Sequence, residues 1–146
     1  MSKVEDFLSA QEEEEIVHAI QKAEQNTSGE IRVHIEATSL NSTHYERAQE
    51  VFQMLKMYNT KRNNGVLFYV AVEDRKFVVY GDRGIDEVVP VNFWNATKNL
   101  MQEQFKLGNF KQGIINGVLR AGEELKAHFP WQTNDEDELS NEISKA

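Results

Sequence analysis

The chain has 146 residues, with 24 Asp and Glu against 16 Lys and Arg for a net charge of −8, and 40% of its residues are hydrophobic. A chain of this length buries roughly two-thirds of its unfolded surface in one core, and the acidic balance argues against binding along a nucleic-acid backbone, which needs clustered cations. With no cysteine present, disulfides, thiolate metal sites and cysteine nucleophiles are excluded.

The N-terminal stretch MSKVEDFLSAQEEEE carries no apolar run of the signal-peptide kind. No window approaches the apolar length of a membrane span. The expectation is a soluble, cytoplasmic monomer with neither a membrane nor a nucleic-acid partner.

The first predicted element is a helix. Ser9 and Glu12 stand three apart as a capping box, glutamates crowd the first turn, and Ile16, Val17, Ile20 and Ala23 form an apolar stripe. EIRVHIEA then alternates, Ile31, Val33 and Ile35 on one side and Arg32, His34 and Glu36 on the other, which predicts a strand with one wetter face. THYERAQEVFQMLKMYNT returns to helical period. Thr43 and Glu46 form a second capping box there, and Ala48, Val51, Phe52, Leu55 and Tyr58 are its buried stripe.

GVLFYVAV is continuous enough to be a strand buried on both faces. EDR separates it from KFVVYG, and the short polar interval predicts a β-hairpin. Two helices follow: one packs through Trp94, Thr97, Met101 and Phe105 and stops at Gly108. The other packs through Phe110, Ile114, Val118, Ala121, Leu125 and Phe129 and ends at Pro130, its Gly117 and Gly122 suited to close approach to the sheet. Residues 1–131 are thus expected to form the folded unit, and 132–146 an acidic, disordered tail. The order α-β-α-β-β-α-α predicts an α/β fold, a three-layer α/β/α sandwich around a small mixed central sheet. Its first two strands are parallel, and the third is antiparallel to the second.

This topology sorts polar residues by end. The segments leading into the first two strands and the segment leaving the third share one end, gathering Ser28, Glu30, Asn63, Asn64, Asp82, Asp86 and Glu87. A hard divalent cation takes such carboxylate, amide and carbonyl oxygens. The opposite end gathers Glu36, Asn41, Glu73 and Asp74, a thinner oxygen cluster. GDRGIDE is not an EF-hand loop, and the residues alone favour a turn cap at Asp82 with acids at a helix start over a cation site.

The four histidines, His18, His34, His44 and His128, show no paired metal-ligand spacing; His34 stands out by its place on the polar side of the first strand. Trp94 and Trp131 read as core and lid residues. No nucleophile elbow, phosphate loop or dinucleotide fingerprint is present.

Four motifs in order, SGEI before the first strand, GVL opening the second, DRK at the hairpin and GDRG after the third, resemble the TPM domain family over about Glu12 to Pro130. That family includes thylakoid-lumen and bacterial proteins, some described as acid phosphatases. The resemblance implies an α/β/α sandwich and a divalent-cation cofactor, calcium before magnesium. It also implies a metal-assisted phosphatase activity on phosphomonoesters. The matching positions are Gly29, Glu30, Asp74, Arg75, Gly81, Asp82 and Gly84. The candidate metal ligands are therefore Glu30, Asp82, Asp86, Glu87 and Asp74, with Arg32, Arg75 and Arg83 as cations for a phosphoryl group. No residue is identified as a nucleophile.

Overall fold

The computed structural model describes residues 6–39, 42–131 and 140–146. Helix α1 (Ala10–Ala23) starts on the expected capping box: Glu12 N donates to Ser9 Oγ at 3.1 Å, and Ser9 N donates to Glu12 Oε1 at 2.9 Å. Strand β1 (Glu30–Glu36), helix α2 (His44–Met54) and strand β2 (Gly65–Ala71) make a crossover unit whose strands pair in parallel, Glu30 opposite Gly65 through Glu36 opposite Ala71. Strand β3 (Lys76–Gly81) returns antiparallel, with Val66 opposite Gly81. A single turn, α3 (Arg83–Asp86), is followed by α4 (Asn95–Lys106) and α5 (Phe110–His128).

Alternation along the strands builds two cores. Ile31, Val33, Ile35, Val66, Phe68, Val70 and Val79 face α1, α4 and α5, where Ile16, Ile20, Met101, Ile114, Val118 and Leu125 meet them. Leu67, Tyr69 and Ala71 face the other way, onto Ala48, Val51 and Phe52 of α2. The result is the expected α/β/α sandwich. Every residue of β2 is buried, as its unbroken apolar run requires.

Three expectations are corrected. Helix α2 ends at Met54, because Lys56 is left-handed (φ 55°) and turns the chain; Met57 is buried in place of Tyr58, which is 46% exposed. The polar side of β1 is not wet, since His34 and Glu36 are both buried. The described end of the expected tail, residues 140–146, includes a strand. Ser144–Lys145 form β4, parallel to β1 with His34 opposite Ser144, and Ala146 N donates to Ile35 O at 3.1 Å. The sheet order is β3-β2-β1-β4. Lys145 Nζ is ion-paired with Glu13 of α1, a second tether on this strand. The acidic residues 132–139 lie outside the described residues.

Gly117 approaches the sheet as expected, against Phe68, and also meets Met101 of α4. Gly122 instead meets helix α1. A Cβ there would stand 2.6 Å from Ala23 Cβ and 2.7 Å from both the Cα and the carbonyl oxygen of Ala23. Helix propensity alone favours Gly122→Ala by up to about 1 kcal/mol. The contact with α1 backbone reverses the sign, and urea unfolding is expected to show a loss of about 1–3 kcal/mol. Unchanged or raised stability would show that α1 and α5 separate without cost.

Candidate functional site

The start of β1, the start of β2 and the end of β3 share one end of the sheet, and their flanking loops are locked together by backbone hydrogen bonds. Glu30 N donates to Asn64 O at 3.3 Å, Asp82 N to Gly65 O at 2.9 Å, and Gly84 N to Asn63 O at 2.8 Å. Asn63 is left-handed (φ 52°), which turns the chain into β2. Gly84 sits so close to the carbonyl oxygens of Arg62 and Asn63 that no side chain fits there. The glycine of GDRG is thus required for close loop packing.

Asp82 is the N-cap of α3. Its Oδ1 accepts from Arg83 N at 2.8 Å, which is the turn-capping role expected of it. Its Oδ2 is buried with no hydrogen-bond partner, in a residue only 9% exposed. Asn64 is 1% exposed; its Nδ2 donates to Ser28 Oγ at 3.2 Å, and its Oδ1 is likewise buried and unpartnered. Native proteins satisfy nearly all buried acceptors, so two bare oxygens on interlocked loops are a notable local exception. Glu30 is buried at the first position of β1, its backbone N–H bonded to the Asn64 carbonyl.

Asp86 is on the exposed side of the α3 turn, and partial burial with the Asp82 charge raises its pKa. The two carboxylates therefore repel each other. Glu87 closes the turn and is exposed. Among the described residues, no three His, Asp or Glu side chains lie close enough together to hold a metal ion by themselves. A cation at this end would draw on amide and backbone oxygens as well as carboxylates.

Asp74 is not brought to this end. It sits at the hairpin, where its Oδ2 accepts from Thr38 Oγ1, Ser39 N and His44 Nε2, each at 3.1 Å. The Ser39 N–H, with help from His44 and Thr38, holds its carboxyl below the usual range against the opposing effect of desolvation. These bonds clasp the loop after β1 to the hairpin. Asn41 lies outside the described residues.

Glu36 anchors a buried polar network. Its Oε2 accepts from Arg47 Nε at 2.9 Å and Tyr69 Oη at 2.5 Å, and its Oε1 from Arg47 Nη2 at 2.9 Å and His34 Nε2 at 3.1 Å. His34 Nδ1 meets Ser144 Oγ at 3.0 Å. This pattern assigns the proton to Nε2 and makes Ser144 the donor to Nδ1. The Ser144–His34–Glu36 order is that of a nucleophile, base and orienting acid. Glu36, however, has both oxygens filled by Arg47 and Tyr69, so the chain of bonds holds β4 against β1. Burial pushes the Glu36 carboxyl up, but hydrogen bonds from Arg47, Tyr69 and His34 outweigh it and hold the pKa low. Burial first, then the Arg47 and Arg32 charges, lower the His34 pKa against the opposing hydrogen bond and charge of Glu36.

Sequence reasoning missed Arg47 and Tyr69 as partners of Glu36. The available signal was the triplet Arg32, His34, Glu36 on one side of a strand, which demands counter-groups if that side is covered.

The TPM domain model matches residues 1–124. The chain belongs to the TPM domain family. Its structure is similar to the NMR structure of the BA42 protein from the psychrophilic bacterium Bizionia argentinensis, with 57% identity, TM-score 0.92 and full coverage of both chains (100% and 100%). It also resembles the N-terminal domain of a P. gingivalis protein (19% identity, TM-score 0.71, 84% of this chain and 79% of that one). A third likeness is to the N-terminal domain of the Corynebacterium glutamicum protein cg2496 (14% identity, TM-score 0.65, 81% and 74%). At these lower identities the likeness is one of fold. No curated protein gives a significant match. No helix of this TPM domain, among the described residues, is long and apolar enough to cross a membrane.

Lowered pKa values at His34 and Glu36 mean that the folded chain binds fewer protons than the unfolded chain in acid. Stability is therefore full at neutral pH. It begins to fall as pH drops through the ordinary histidine value of 6.5 and falls further through 4.5, the ordinary value for Glu36. Melting temperature measured from pH 7.5 to 5 is expected to decline in the native protein and to flatten in His34→Gln. An unaltered slope in that variant would assign the acid sensitivity to other groups.

Proposed function

We propose that this TPM domain binds a divalent cation, calcium in preference to magnesium, at the end of the sheet formed by Glu30, Asn64 and Asp82. The supporting observation is the pair of buried, donor-free oxygens, Asp82 Oδ2 and Asn64 Oδ1, on loops joined by the Asn63–Gly84 and Gly65–Asp82 hydrogen bonds. A buried carboxylate oxygen without a donor is costly, and a hard cation offsets that cost. Calcium suits such a mixed set because it accepts six to eight oxygens in flexible geometry, whereas magnesium demands a near-ideal octahedron.

Glu30, Asn64 and Asp82 would hold the ion, with Asp86 added from the next turn. Glu87, exposed at the end of that turn, belongs at the rim, and Asp74 lies at the opposite end, outside this set. The ion would relieve the repulsion between Asp82 and Asp86 and so order the α3 turn, a local switch of regulatory use. The same reading takes the domain as a cytoplasmic monomer.

Metal-assisted phosphatase activity is the weaker alternative. It requires a nucleophile or an activated water beside the ion. Among the described residues no hydrogen bond joins Ser28 Oγ to a general base, and Arg75 is at the far end of the sheet.

Titration calorimetry of chelator-treated protein is expected to show saturable calcium binding, weakened about tenfold or more in Asp82→Asn, a loss of at least about 1.4 kcal/mol. Glu87→Gln is expected to change it little. Equal affinity in Asp82→Asn would remove Asp82 from the site and with it the proposal. Turnover of an aryl phosphate lost in both chelator and Asp82→Asn would instead favour the enzymatic alternative.

A further inference from the structure

At the other end of the sheet, the β2–β3 hairpin, the end of α4 and the start of α5 surround a cavity of about 640 Å³. That is within the usual range of small-molecule sites, about 300–1,000 Å³. One wall is a run of touching aromatic rings: Phe77 on Phe105 at 5.2 Å, Phe105 on Phe110 at 5.7 Å, and Phe110 on Phe7 at 4.7 Å between centroids. Val70 and Val72 of the sheet continue the apolar surface.

The polar lining has a single sign. Arg75, Lys76 and Lys106 line the cavity and no Asp or Glu does, in a chain where acids outnumber bases 24 to 16. None of these three cations takes part in an ion pair among the described residues. Asp74, next to Arg75 in sequence, is committed to Thr38, Ser39 and His44. Arg75 also occupies a left-handed turn position (φ 54°), a conformation that glycine or asparagine adopts with less strain.

The geometry points to a binding site for an anionic amphiphile, specifically a medium-chain acyl carboxylate. Its chain would lie against the phenylalanine wall and its carboxylate would meet Arg75, Lys76 and Lys106. Apolar burial supplies the affinity, and the guanidinium and ammonium groups select the charged head. This site is at the opposite end of the sheet from Asp82 and does not depend on the cation reading.

The test is amide NMR in the presence of chelator, titrating decanoate below its micellar concentration, with acetate and decyltrimethylammonium as comparisons. Saturable decanoate shifts are expected at 70–77 and 105–110, absent with acetate and with decyltrimethylammonium. The double variant Lys76→Glu, Lys106→Glu leaves the aromatic wall intact and is expected to weaken decanoate binding at least tenfold while keeping its melting temperature. An equal response to decyltrimethylammonium would overturn the proposal, as would shifts scattered over the surface or undiminished binding by the double variant. Absence of any saturable shift would do the same.

Discussion

Strand β2 is buried on both faces from Gly65 to Ala71 and pairs with β1 over its full length. The register of that pairing places nearly everything else. Because side chains alternate with period two, a slip of one residue would turn Arg32, His34 and Glu36 into the α1–α5 core and expel Ile31, Val33 and Ile35. The register is therefore held by hydrophobic burial, and two polar sites follow from it. Glu30 comes opposite Gly65, and the hairpin returns Gly81 to Val66, so Asp82 N donates to the carbonyl of that same Gly65. At the other end His34 comes opposite Tyr69, with Glu36 close to the same hydroxyl.

The two ends treat their buried oxygens differently. Glu36 has four donors on two oxygens, and its network fastens β4 through Ser144. Such a cluster is complete within the protein and requires no ligand. At the Asp82 end the donors run out: Asp82 Oδ2 and Asn64 Oδ1 are buried but have no partner. One fold thus carries a saturated carboxylate and an unsaturated one, and the contrast supports placing a cation at the second. The phenylalanine cavity beside the hairpin adds a third environment, apolar and rimmed by positive charge.

Much of this was legible in the sequence because it depends on local pattern. The Ser9–Glu12 box, the unbroken run of β2 and the short interval before β3 each have a direct physical cause. The topology they imply was sufficient to bring Glu30, Asn64 and Asp82 to one end. What escaped notice depends on tertiary cover. Alternating polar residues in β1 look like a solvent face, and only Arg47 from α2 and Tyr69 from inside an apolar strand make that face an interior. Lys56 turns left-handed in a sequence with no glycine to announce it, which exchanges Tyr58 for Met57 in the core. The acidic composition ahead of Ser144 concealed a two-residue strand whose partners are β1 and Glu13.

The most direct test of the central claim is an amide NMR spectrum of chelator-treated protein recorded across a calcium titration. A cation held at the Glu30, Asn64 and Asp82 end of the sheet predicts saturable shifts at 28–30, 63–65 and 81–86, with the Thr38, Ser39 and Asp74 amides unmoved. Absence of a saturable shift, or shifts confined to Glu36 and the hairpin tip, would contradict it.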